Sequence, residues 1–102
     1  MAKLKLVAEP TFKAKVAIPV PGAEAADVEF TFKHRTRDQV TEWLGNHEAS
    51  DVEIVKECTV AWDLDDEFTD ENIGRLCQNY MGAGSSIVTT YLNELRGARA
   101  KN

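Results

Sequence analysis

The sequence is short of most features that announce a chemistry. It has two cysteines, Cys58 and Cys77, which make a poor disulfide framework. Lys3 and Lys5 lie near Met1, but no uninterrupted apolar stretch follows them. A secretory signal is therefore not expected, and a reducing compartment with packed, reduced thiols is. No apolar run approaches the roughly 18–20 residues of a membrane-spanning helix, so no membrane partner is expected. With three prolines and six glycines, no segment is of low complexity, and there is no internal repeat.

Catalytic and metal-binding patterns are missing as well. There is no G-x-S-x-G, and Gly82-Ala83-Gly84-Ser85-Ser86 lacks the lysine of a phosphate-binding loop. Glycines so placed read as turn residues. Asp63-Leu64-Asp65-Asp66-Glu67 begins like a calcium loop. Its sixth position, where a sharp turn needs glycine, is Phe68, and its twelfth, where a bidentate glutamate is needed, is Gly74. His34, His47, Cys58 and Cys77 lack the close pair spacing of a zinc site. Catalytic, metal and cofactor residues are accordingly read as none, and the acids as a solvated surface.

Charge is unevenly distributed. The net charge is −5, and from Glu48 to Glu71 ten acids face the single Lys56. From Arg96 to Asn102 there are three bases and no acid. An acidic body repels phosphate backbones, which argues against a nucleic-acid partner. The small basic cluster Lys33-His34-Arg35-Thr36-Arg37 does not reverse that.

What is present is an ordinary globular composition, 43% hydrophobic and 28% charged over 102 residues, the size of one domain. The reading is a single domain over 1–102, with a strand region at 1–33, a helical region at 36–96 and a basic tail at 97–102. Phe12, Ala14, Val16, Ile18 and Val20 alternate with Lys13 and Lys15, which predicts a half-buried strand broken by Pro21-Gly22. Val28, Phe30 and Phe32 predict a second strand, paired antiparallel with the first. Leu4 and Leu6 offer a short third one.

From Thr36 the period changes to that of a helix. Thr36 and Gln39 match a capping box, Val40, Trp43 and Leu44 follow at helical spacing, and Gly45-Asn46 ends the helix. Ser50 and Glu53 form a second capping box. The stretch Val52 to Trp62 fits both periods, and the box favours helix. Thr69 starts a third helix carrying Ile73, Leu76, Cys77 and Tyr80 on one face. Ser85 or Ser86 caps a fourth, with Ile87, Val88, Tyr91, Leu92 and Leu95 on its apolar side and Gly97 as its stop. The fold class is α+β: an N-terminal antiparallel hairpin packed with about four short helices. Trp43, Trp62, Tyr80 and Tyr91 are read first as core, although aromatics also anchor interfaces.

Several segments together resemble the tail assembly chaperones of long-tailed bacteriophages and prophages. These are Val60-Ala61-Trp62-Asp63, Glu67-Phe68-Thr69-Asp70-Glu71-Asn72-Ile73, Asn79-Tyr80 and the closing Gly97-Ala98-Arg99-Ala100-Lys101-Asn102. Thr11-Phe12-Lys13-Ala14-Lys15-Val16, the Pro21-Gly22 turn and Phe30-Thr31-Phe32-Lys33 fit as well, so the likeness covers nearly the whole chain. Met81-Gly82-Ala83-Gly84 departs from it, since the family more often follows its tyrosine with proline.

The resemblance implies a non-enzymatic assembly factor of the host cytoplasm, absent from the finished virion. It implies that the protein binds the tape measure protein and helps recruit tail tube (major tail) subunits. A frameshift-extended form of the same protein is a further implied partner. Other readings are a structural tail component kept in the particle, or a metal-dependent nucleic-acid-processing enzyme using the Asp63–Glu71 cluster. The apolar stripe over 86–96 and the basic tail after it suggest a partner-binding surface of Tyr91, Leu92, Arg96, Arg99 and Lys101. The alternative is that the whole stripe is core and the tail serves solubility.

Overall fold

The computed structural model describes residues 4–45 and 50–97. In chain order the elements are β1 (Thr11–Ile18), β2 (Ala26–Lys33), α1 (Arg37–Gly45), α2 (Asp51–Cys58), β3 (Thr59–Trp62), α3 (Asp70–Asn79) and α4 (Ala83–Arg96). The α+β class expected from the sequence is the one observed.

Alternation in β1 and β2 decides how the sheet faces the core. Phe12 pairs with Phe32, Ala14 with Phe30 and Val16 with Val28, so each apolar residue meets another on the same face. Lys13 and Lys15 project from the opposite, open face. β1 stops at Ile18, two residues before the expected end, because Pro19 has no N–H for the ladder. Val20-Pro21-Gly22-Ala23 closes the connection. Ala23 N–H donates to the Val20 carbonyl at 3.1 Å, and Gly22 takes φ 76°, as the third position of a type II turn requires.

The third strand is not the one expected. Leu4 and Leu6 lie outside any element and are exposed; β3 completes the order β1-β2-β3. The helix expected over Val52 to Trp62 is therefore real only to Cys58. At Thr59 the backbone turns to φ −116° and ψ 142° while its N–H still donates to the Val55 carbonyl, so strand follows helix with no loop between. Pairing with β2 runs Phe30 to Trp62 and Thr31 to Ala61, then skips to Phe32 with Thr59. Val60 is the extra residue of a bulge and is exposed. The bulge lets Thr59 and Trp62, three positions apart, both face inward, which the strict alternation of a strand does not describe.

Caps place the helices. Thr36 and Gln39 form the reciprocal box: Gln39 N–H donates to Thr36 Oγ1 at 3.2 Å, and Thr36 N–H to Gln39 Oε1 at 2.8 Å. Ser50 Oγ accepts from Glu53 N–H, and Thr69 Oγ1 accepts from Asn72 N–H at 3.1 Å. Asn46, expected to help end α1, lies outside the described residues, as does His47.

α4 does not begin at Ser85 or Ser86. It starts at Ala83 behind Gly82, with no side-chain cap. Packing decides this start: Ala83 and Gly84 are buried, and a Cβ on Gly84 would stand 2.9 Å from Asp51 Cγ at the head of α2. At the far end Gly97 takes φ 75° and closes the helix as expected. α4 packs on β1 and α2, and α2 also packs on α3.

The core joins the sheet's inner face to Val55, Cys58, Ile73, Ile87 and Tyr91. Tyr91 has no exposed surface. Its ring lies 5.2 Å from Phe32, 5.6 Å from Trp43 and 6.1 Å from Phe12. These cap assignments make a contrast. Thr69→Ala should cost about 1 kcal/mol in a urea denaturation curve, whereas Ser85→Ala, in an exposed first turn that caps nothing, should change stability by less than about 0.5 kcal/mol.

Candidate partner-binding grooves

Among the described residues, open grooves cut the surface at two places that bear on partner binding. The first lies between α1 and α4, with a volume of about 370 Å³, lined by Arg37, Val40, Thr41, Leu92, Leu95 and Arg96. It exists because α1 has no fully buried residue. Trp43 holds that helix down instead: its indole N–H donates to Glu57 Oε1 at 2.7 Å, and the Arg35 guanidinium stacks 4.5 Å over its ring. Val40 is left only half-buried beside Leu92 and Leu95. The result is an apolar floor with an arginine from each helix.

The expected binding residues divide. Leu92 and Arg96 both line this groove. Tyr91 does not, because its ring is enclosed and its hydroxyl accepts from Arg35 Nη1 at 3.0 Å. In the folded protein it cannot reach a partner, and its place in the stripe reflects core packing. Arg99 and Lys101 lie outside the described residues.

The second groove, about 360 Å³, runs between the hairpin turn and α3. Ile18, Val20, Val28, Trp62, Leu64, Leu76 and Tyr80 give it an apolar lining, and Asp66, Asn72, Arg75 and Asn79 stand around them. Sequence reasoning did not find this groove. The available signal was Leu64, an apolar residue within the acidic loop with no helical or strand face to join; Val20, expected on the strand face, falls instead in the connection after β1.

The acidic loop beside that groove is ordered by hydrogen bonds. Asp63 extends the sheet, accepting from Glu29 N–H at Oδ1 while its own N–H donates to the Glu29 carbonyl, both at 3.0 Å. The Trp62 indole N–H donates to the Asp66 carbonyl, and Asn72 Nδ2 donates to the Glu67 carbonyl, each at 2.7 Å. Phe68 packs edge-on against Trp62 at 5.0 Å. Trp62, Asp63, Phe68, Thr69 and Asn72 thus form one structural unit that fixes the loop. Among the described residues no group of three or more His, Cys, Asp or Glu side chains could hold a metal ion, and no helix is long and apolar enough to cross a membrane.

Both cysteines are free. Burial pushes the Cys58 thiol up from 9.0 to about 11, and burial also raises Cys77, with Asp51 adding to the effect. Tyr91 is raised by burial too, against the opposing pull of Arg35.

The sequence model of the phage tail assembly chaperone family matches residues 1–102, the whole chain. No curated protein and no solved structure matches it.

The raised thiol carries a prediction. An acid whose folded pKa lies above its unfolded value stabilises the fold fully below the unfolded value and loses that contribution as pH rises through the folded one. The denaturation midpoint should therefore fall between pH 9 and 11 as Cys58 is forced to ionise. Cys58→Ala should flatten part of that fall, and a thiol reagent at pH 7.5 should label Cys58 only after unfolding.

Proposed function

This chain belongs to the phage tail assembly chaperone family, and we propose that it binds the tape measure protein and helps bring tail tube subunits onto it in the host cytoplasm. Membership of a chaperone family implies partners among tail proteins and a role without catalysis. Leaving the particle before it is finished is part of the proposal.

The observation that carries the reading is the groove between α1 and α4. Its floor of Val40, Leu92 and Leu95, between Arg37 and Arg96, suits an amphipathic helix with acids flanking its apolar stripe. A tape measure protein, long and helix-rich, offers such faces repeatedly until the tube covers them. Arg99 and Lys101 follow Arg96 in the sequence and would add positive charge for the same acids. A protein of net charge −5 would keep the complex soluble while its groove is filled.

Co-expression with the tape measure protein tests this. A Leu92→Glu/Arg96→Glu variant should weaken binding by about 30-fold or more and leave most of the tape measure insoluble, with an unchanged circular dichroism spectrum. Equal solubility with both chains would remove the groove as the binding site. Recovery of the protein from purified particles in stoichiometric amounts would make it a structural tail component instead.

A further inference from the structure

The sheet order β1-β2-β3 leaves β1 at an edge. Its eight residues, Thr11–Ile18, have a partner strand on one side alone. In an antiparallel pair every second residue exchanges hydrogen bonds with its opposite, and the residues between aim their N–H and C=O groups away. His34 N–H donates to the Pro10 carbonyl at 2.9 Å. The register carries that bonded pair on to Phe12 with Phe32, Ala14 with Phe30 and Val16 with Val28. These residues spend their backbone groups on β2. Thr11, Lys13, Lys15 and Ala17 aim theirs out of the sheet. All four residues are exposed, and among the described residues no backbone bond from another element reaches them. An edge of this kind is a ready template for one more strand.

Side chains decide which strand it accepts. Lys13 and Lys15 stand on the open face and enter none of the ion pairs among the described residues. Lys15 lies across from Glu29 in the register without pairing to it. If β1 met the same edge of a second copy, antiparallel about Ala14, Lys13 would fall opposite Lys15 twice over. Like charges directly opposite are destabilising, so this edge disfavours its own kind. Acids at the same positions would be stabilising instead. On the other side of the pleat Phe12 and Ala14 are only half-buried, and they call for apolar neighbours.

We propose that the β1 edge docks an extended strand of a partner protein in which acids alternate with apolar residues. The acids meet Lys13 and Lys15, the apolar residues lie beside Phe12 and Ala14, and the outward backbone groups of Thr11, Lys13, Lys15 and Ala17 complete the ladder. None of these residues lines the α1–α4 groove, so the inference does not rest on the tape measure reading.

A fluorescein-labelled peptide of alternating aspartate and valine, titrated into the full chain at low salt, tests it by anisotropy. Binding should saturate. Amide hydrogen exchange should slow at Lys13, Lys15 and Ala17, and stay as it was at Phe12 and Ala14. Lys13→Glu/Lys15→Glu should weaken binding about tenfold or more. Lys15→Pro removes one outward N–H and leaves the ladder to β2 intact, as an edge strand allows; it should weaken binding with an unchanged circular dichroism spectrum. A peptide N-methylated at alternate residues keeps its charge but cannot complete the ladder, and it should not bind even if the proline variant fails to fold. Absence of saturable binding overturns the proposal. So does equal binding of the methylated peptide, which would leave charge alone as the cause, or exchange at Lys13, Lys15 and Ala17 that the peptide does not slow. Tape measure solubility measured on Leu92→Glu/Arg96→Glu reads the other surface, so the two ideas fail separately.

Discussion

Tyr91 is where the pieces of this protein meet. Its ring contacts Phe12 from β1, Phe32 from β2 and Trp43 from α1, while its own helix, α4, packs on α2. An aromatic ring can be buried at little cost, but a hydroxyl cannot unless it is bonded. Arg35 supplies the bond at 3.0 Å and covers Trp43 with the same guanidinium. The short junction between β2 and α1 is thereby tied to the middle of α4. With that junction held, α1 needs no fully buried residue of its own, and the shallow channel beside Leu92 and Leu95 stays open.

The acidic loop is governed by a second constraint of the same kind. Its carboxylates suggest chemistry, yet backbone groups hold it in place: Trp62 and Asn72 each donate to a loop carbonyl, and Asp63 continues the sheet beside Glu29. The side chains of Asp65, Asp66 and Glu67 are left to solvent. Order in the backbone with freedom in the carboxylates suits electrostatic recognition, where charges must be displayed in a fixed place. The residues that carry the family likeness in this region are those that build the loop. A likeness of that sort identifies the fold and its family without marking which atoms touch a partner.

The two grooves differ in the charge around them. One has arginines on both helices, and the other lies beside a run of acids. In a chain of 102 residues one core cannot absorb every apolar side chain, because surface is large relative to volume. Here part of that mismatch gathers in these channels and in the segment ahead of β1, while Leu44, Val60 and Met81 stand exposed elsewhere. For an assembly factor, surface left apolar beside a defined charge is a means of choosing partners and, by its opposite at the other groove, of refusing the wrong ones.

The sequence by itself determined the elements whose instructions are local. Alternation set β1 and β2 and their shared face; Thr36, Ser50, Thr69 and Gly97 set helix ends through bonds spanning three or four residues; the Pro21-Gly22 turn set the hairpin. Leu92 and Arg96 could be placed on a surface stripe for the same reason. Tertiary structure decided what depended on distant neighbours. Val52 to Trp62 reads as either period because β2 recruits its second half as β3 and a bulge at Val60 resets the faces. α4 starts at Ala83 because Gly84 must clear Asp51, an approach between residues 33 positions apart. Tyr91 belongs to the core because three other elements close over it, and the hairpin–α3 groove exists only where Val20 and Leu64, far apart in sequence, are brought to one rim. Periodicity and caps record a residue's nearest turns, whereas burial is set by which elements finally pack against it.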